Sequence, residues 1–158
     1  MAKGTRATAF LDKSGVAYTV HAYDYDPAAE KVGLQAAEAL GEPAERVLKT
    51  LMVLVDGKPA CAILPSDREV AMKRLAAALG GKSAQMMPVS DAERVSGYKV
   101  GGVSPFGQLR PIRTVMEKST LTHDLVYING GQRGLQVRLD PKEALRLLGA
   151  VSAAIVSD

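Results

Sequence analysis

The sequence predicts an α/β fold, a single compact domain over residues 1–158 with a mixed β-sheet, and three observations carry that reading. Apolar residues recur at helical spacing in some segments and alternate at strand spacing in others, and the two kinds of segment are interleaved along the chain. Two pairs of strand-like runs are joined by Asp56-Gly57 and Asn129-Gly130, dipeptides that favour hairpin turns, so the sheet is mixed rather than purely parallel. No low-complexity segment or linker divides the chain, and no long repeat marks a solenoid.

The elements follow in order. "TRATAFLDKSG" sets Ala7, Phe10 and Leu11 at helical spacing and stops at Ser14-Gly15. "VAYTVHAY" alternates as a strand, "DYDPAAEKVG" is a loop by its Asp, Pro and Gly content, and "LQAAEALG" is an Ala-rich helix closed by Gly41, with a further turn from Pro43. "RVLKTLMVLVDGKPACAILP" is the clearest element: two apolar strands around a tight turn, both expected to be buried on two faces. "DREVAMKRLAAALGG" is an amphipathic helix, "SAQMM" a short strand, and "PVSDAERVSG" a helix with Pro88 near its start. The glycine-rich "GYKVGGVSPFGQ" follows. "IRTVMEKS" is a strand, and "DLVYINGGQRGLQVRL" is a strand, a tight Asn-Gly turn and a returning strand. "DPKEALRLLG" is a helix with Asp140 as N-cap and Pro141 first inside, and "SAAIV" is a closing strand.

Composition narrows the chemistry. A formal net charge of +3 suits a polyanionic partner, because basic surface gains by neutralising phosphates, but the cationic residues are dispersed. A tRNA or DNA contact would therefore be broad, or shared with another protein. The single cysteine, Cys61, lies between apolar neighbours in "PACAILP"; this excludes an intrachain disulfide and a CxxC metal site and marks a buried structural thiol. "MAKGTRATAF" lacks the apolar run of a signal peptide, and no apolar span is long enough for a membrane helix, so a cytoplasmic protein with no membrane partner is expected.

Familiar catalytic motifs are missing. "GYKVGGVSPFG" has no terminal Gly-Lys-Ser/Thr of a P-loop, and no strand followed by GxGxxG opens a helix. His21 and His123 lie in different elements and no second thiol accompanies Cys61, so neither a metal nor another cofactor is expected. There is no GxSxG elbow, and Ser104 precedes a proline with no histidine base in view.

Three features remain. The glycines of "GYKVGGVSPFGQ" are either a plain connection or a wall where backbone groups approach a ligand closely. Lys49 breaks an apolar strand face shared with Val47, Leu51, Val53 and Val55, so its ammonium must reach water, an acid, or an anionic or carbonyl-bearing ligand. "YDYD" at Tyr23 to Asp26 is either a solvated turn or a loop able to stack on a base or ribose.

Read together, "HAYDYDP", "RVLKTLMV", "GYKVGGVSPFGQ" and "YINGGQRGLQV" resemble the YbaK family of aminoacyl-tRNA deacylases, relatives of the editing domain inserted in bacterial prolyl-tRNA synthetase. The resemblance spans about residues 5–157. It implies a mixed sheet or partly closed barrel flanked by helices, and hydrolysis of the ester joining cysteine to tRNA(Pro), with Cys-tRNA(Cys) a further substrate. It also implies contact with the acceptor end of aminoacyl-tRNA and a transient complex with prolyl-tRNA synthetase.

Carried over by motif, Lys49 is the catalytic candidate, placed to contact the terminal phosphate or ribose, and Thr50 lines the same pocket beside Tyr23. Gly101, Gly102 and Ser104 resemble a backbone-rich wall around the ester, faced by Asn129 and Gly130. No general base is implied, because the substrate's own thiol can attack the ester. The chain departs from the family at Asn129, where serine is common, at Gln136, where an acid is common, and at Val32, where an aromatic is common, and these changes bear on amino-acid selectivity. Two alternatives stay open: a deacylase for another small aminoacyl-tRNA such as Ala-tRNA(Pro), and a non-catalytic module that binds tRNA ends or a synthetase.

Overall fold

The computed structural model describes residues 4–28 and 32–157. Helix α1 (Arg6–Ser14) starts from a capping box in which the Thr8 N–H donates to Thr5 Oγ1 (3.1 Å) and the Thr5 N–H to Thr8 Oγ1 (2.8 Å), and it ends on a left-handed Gly15. Strand β1 (Thr19–Ala22) and helix α2 (Val32–Leu40) follow; residues 29–31 of the loop expected between them, and the side chain of Val32, lie outside the described residues. The hairpin β2 (Leu48–Val55) and β3 (Lys58–Pro65) turns at Asp56 and Gly57, both with positive φ. Next come α3 (Met72–Ala78), β4 (Ala84–Met86) and α4 (Val89–Ser96), then, after the glycine segment, β5 (Arg113–Glu117). The chain closes with β6 (Val126–Asn129), β7 (Leu135–Leu139), α5 (Pro141–Leu148) and β8 (Val151–Ala153).

The observed sheet is mixed, as expected. Five strands run in the order β4-β2-β3-β5-β8, with β2 antiparallel to both its neighbours and β3, β5 and β8 parallel. A separate antiparallel sheet is ordered β1-β7-β6. The two sheets meet at one parallel bridge, Val47 to Tyr127, and no barrel closes among the described residues.

Two local expectations are corrected by tertiary partners. Helix α3 begins at Met72 rather than near Asp67, because Val70 bridges Val156 and the Ala71 N–H donates to the Ile155 carbonyl (2.7 Å). The second hairpin lacks a tight Asn-Gly turn: Asn129 pairs with Gln136 inside the sheet, the Gly130 N–H donates to the Leu135 carbonyl (2.9 Å), and Gly131–Gly134 form the loop. Both ends of that loop have positive φ, 91° at Gly131 and 79° at Gly134.

Apolar side chains pack in two main layers. Leu11, Ile63, Phe106, Met116, Ile128 and Leu139 fill the space between the sheets. Val53, Leu64, Val115 and Ile155 fill the opposite face of the five-stranded sheet, against Leu75 of α3.

Candidate active site

Strand β2 has neighbours on both sides for only part of its length. β3 pairs with all of it, whereas β4 pairs only with Val53–Val55, and the Met87 N–H donates to the Met52 carbonyl (3.1 Å). From Leu48 to Met52 that edge has no strand paired to it. On the same side β6 leaves the Val47–Tyr127 bridge parallel to β2 and forms no further ladder with it among the described strands.

The result is a cavity of about 270 Å³ lined by the free edge of β2, by Met86, Met87, Val89 and Ala92, by Val100, Gly101 and Val103, and by Asn129 and Gln136. Because the wall is a strand edge, side chains from both faces of β2 reach it. This corrects the expectation of a strand buried on both faces: β3 is buried from Ala60 onward, but Lys49, Thr50 and Leu51 are only half-buried. Strand alternation also turns the Thr50 N–H and C=O the same way as the Met52 carbonyl, into the gap.

Lys49 lies at this edge with its side chain 21% exposed, and its Nζ is 4.0 Å from Oε1 of the exposed Glu69. The ammonium is thus kept within reach of water and of an acid. Thr50 Oγ1 and Gln136 Oε1 are both buried and make no hydrogen bond with the described residues. Tyr23 packs beside Ala36, Ala37, Val47 and Tyr127 and is not itself among the cavity-lining residues. Burial pushes its phenol pKa up, opposed by the neighbouring Gln136 side chain and Gly134 backbone; its hydroxyl completes no well-directed hydrogen bond.

The glycine segment is clamped to the β6–β7 loop. Asn129 Nδ2 donates to the Gly101 carbonyl (3.3 Å) while its Oδ1 accepts the Gly131 N–H (2.7 Å), and Arg133 Nε donates to the Val100 carbonyl (2.9 Å). At Gly102 a Cβ would sit 2.6 Å from the Arg133 nitrogen and 2.8 Å from the Gln132 carbonyl carbon, so only glycine allows the two backbones to approach. The Gly102 N–H is already given to the Lys99 carbonyl (2.8 Å). Ser104 is fully buried, its Oγ accepting the Phe106 N–H (3.2 Å), and the Gly130 carbonyl accepts Thr5 Oγ1 (2.6 Å).

The structure therefore brings Lys49, Thr50, Gly101 and Asn129 to one cavity and places Gly102, Ser104 and Gly130 in its framework. Sequence reasoning missed Met52, Met86 and Met87, which make one end of the cavity apolar, although the Met-Met pair in "SAQMM" is a visible signal. Gln136 entered that reading only as a departure. It alternates with Leu135 and Val137 as a solvent-facing residue would, yet is 4% exposed.

Cys61 stands apart from this chemistry, since burial pushes its thiol up to about 12, partly offset by a Thr114 hydrogen bond. Among the described residues, no group of three or more His, Cys, Asp or Glu side chains could hold a metal ion. No helix there is long and apolar enough to cross a membrane.

A strand edge opposite a glycine wall, with one lysine and with hydroxyl and amide oxygens that find no partner among the described residues, marks the cavity of this α/β domain. The chain belongs to the aminoacyl-tRNA editing domain family, whose profile matches residues 26–147. It is 34% identical over 123 residues to EbsC of Enterococcus faecalis, named as a candidate Cys-tRNA(Pro)/Cys-tRNA(Cys) deacylase, covering 77% of this chain and 74% of the relative. It is 32% identical over 94 residues to a proline–tRNA ligase of Nitratidesulfovibrio vulgaris; the match covers 60% of this chain and 16% of the ligase.

Among solved structures, the hypothetical protein APE2540 superposes with a TM-score of 0.86 at 25% identity, covering 97% of this chain and 100% of that one. A candidate trans-editing enzyme for prolyl tRNA synthetase superposes with a TM-score of 0.81 at 21% identity, covering 97% and 96%, and shares the fold.

Proposed function

We propose that residues 1–158 form one trans-editing domain that deacylates Cys-tRNA(Pro), and also Cys-tRNA(Cys), in the cytoplasm in a transient complex with prolyl-tRNA synthetase. The observation that carries this reading is the cavity itself: Lys49, Thr50, Gly101 and Asn129 converge there, and among the described residues no histidine, cysteine or carboxylate lines it. A cavity with no base among its described lining residues favours a substrate that brings its own nucleophile. Editing of this kind answers a limit of size discrimination, since a pocket rejects a similar small side chain by only about 1–3 kcal/mol.

In the proposed step the cysteine thiol attacks the ester carbonyl carbon. A C–S bond forms, the C–O bond to the terminal ribose breaks, and the thiol proton ends on the ribose hydroxyl, giving free tRNA and a cyclic thiolactone that water later opens. In this reading the backbone of Thr50 and Gly101, both of which line the cavity, polarises the carbonyl, whereas the Gly102 N–H is committed to Lys99. Lys49 holds the terminal phosphate or ribose, leaving its loose contact with Glu69 to do so. The methionine-lined end takes the side chain, and a thiol suits it as a small apolar group.

The test is hydrolysis of preformed Cys-tRNA(Pro) by wild type and Lys49→Ala. Loss of one charge-assisted contact should slow the variant about 10- to 100-fold. Equal rates would remove Lys49 from the mechanism, and an inactive wild type would sink the cysteine assignment. Ser-tRNA(Pro), which lacks the thiol, should be spared.

A further inference from the structure

Tyr25 and Arg133 lie at the rim of the cavity, and apart from the Arg133 tie to Val100 neither has a part in the chemistry above. The Arg133 guanidinium carbon stands 5.5 Å from the Tyr25 ring centroid, over its face, and Arg133 Nε donates to the Val100 carbonyl (2.9 Å). The guanidinium is thereby fixed at its edge and on one face, while the side chain as a whole remains exposed. Both groups abut the cavity wall: a Cβ on Gly101 would lie 2.7 Å from the Tyr25 hydroxyl and 3.3 Å from Arg133 Nε. Val100 and Gly101 themselves line the cavity.

We infer that this Tyr25–Arg133 pair is the stacking platform for the terminal base of the acceptor strand, an inference that rests on the editing reading of the cavity. An ester carbonyl held at Gly101 puts the ribose at the rim and its base beyond, where the flat guanidinium offers its outer face. Bases stack on aromatic rings and on arginine planes with little regard to sequence. The neighbouring charges choose base over phosphate. Asp24 and Asp26 flank Tyr25 and are exposed, so they repel a phosphodiester and leave a neutral heterocycle unaffected. The arrangement also gives the acidic-aromatic "YDYD" a use that the cavity alone does not.

The direct test uses the full chain and a tRNA acceptor minihelix ending in 2-aminopurine, whose fluorescence is quenched on stacking. Wild type and Tyr25→Phe should quench it, and Tyr25→Leu and Arg133→Lys should lose most of the quenching. No quenching by wild type, or full quenching by Arg133→Lys, would overturn the platform, the latter by showing that charge alone suffices.

Kinetics give the second readout. Tyr25→Leu should raise KM for Cys-tRNA(Pro) about tenfold with kcat nearly kept, and Tyr25→Phe should recover it. Tyr25→Leu should lose about tenfold less on cysteine ethyl ester, which has no base; equal losses on both substrates would overturn the inference. A wild type that quenches the minihelix yet cleaves neither ester would instead count against the deacylase reading and leave the platform standing.

Discussion

On the α3 side of the five-stranded sheet, Val53, Leu64, Leu75, Val115 and Ile155 close over the strands, and the buried Glu117 carboxylate beside them accepts the Ser119 N–H (2.8 Å) and the Ile155 N–H (2.9 Å). In the gap beside β2, Thr50 Oγ1 and Gln136 Oε1 are also buried, yet they make no hydrogen bond within the described residues. Each such atom costs about 1–3 kcal/mol of folding free energy unless water or a ligand meets it. One region of the molecule is thus built to be stable, and the other holds polar groups open for something to enter. Where strands pair completely, polar atoms are used up; where β2 loses its neighbour, they are left available.

The largest expected effect breaks the first region alone. Leu75 is fully buried on the inner face of α3 and does not line the cavity, so Leu75→Ala should lower the unfolding free energy by about 3 kcal/mol in urea denaturation. Deacylation per folded molecule should be unchanged. A proportionate fall in activity would show that the two regions are one cooperative unit in function as well as in stability.

Glu117 sharpens the same contrast. Burial alone would push its carboxyl pKa up, but hydrogen bonds from Ser119, Ile155 and Val156 outweigh that and hold it below the ordinary range. A lowered folded pKa means that its contribution is complete above the unfolded glutamate value, about 4.3, and is lost as pH falls through the folded value. Glu117→Gln should therefore cost about 2 kcal/mol at neutral pH and close on wild type as acid protonates the parent. Midpoints of urea unfolding measured between neutral pH and strong acid will show whether the two curves converge.

These two regions were not equally legible in the sequence. The β2–β3 hairpin is legible because its turn is local: Asp56 and Gly57 supply the positive φ that joins two apolar runs. Lys49 was equally plain, as a charge on an apolar strand face. What stayed hidden depends on partners distant in the chain. Val70 is in a bridge to Val156 rather than in a helix, and Asn129 is a strand residue whose amide ties Gly131 to Gly101 rather than a turn residue. Gln136 was hidden by its own pattern, for alternation assigns it to solvent and the gap beside β2 buries it. The free edge of β2 is hidden for the same reason, since pairing only as far as Val53 is a property of β4 and not of β2.

The smallest expected effect is the most discriminating, because it has opposite signs in stability and in activity. Thr50→Val keeps the shape of the side chain and removes a buried hydroxyl that has no partner in the described protein. If that hydroxyl is held open for substrate, the free protein should become more stable by about 1 kcal/mol, and hydrolysis of Cys-tRNA(Pro) should slow. If the hydroxyl is instead satisfied by ordered water as well as the Glu117 carboxylate is by the backbone, the variant should be no more stable than wild type, and the contrast between the two regions disappears. Urea denaturation and single-turnover hydrolysis on the same preparation separate these outcomes. A gain in stability with undiminished hydrolysis would leave Thr50 as an unpaired atom that the substrate never meets, and would move the polar end of the ligand toward Asn129 and Gln136.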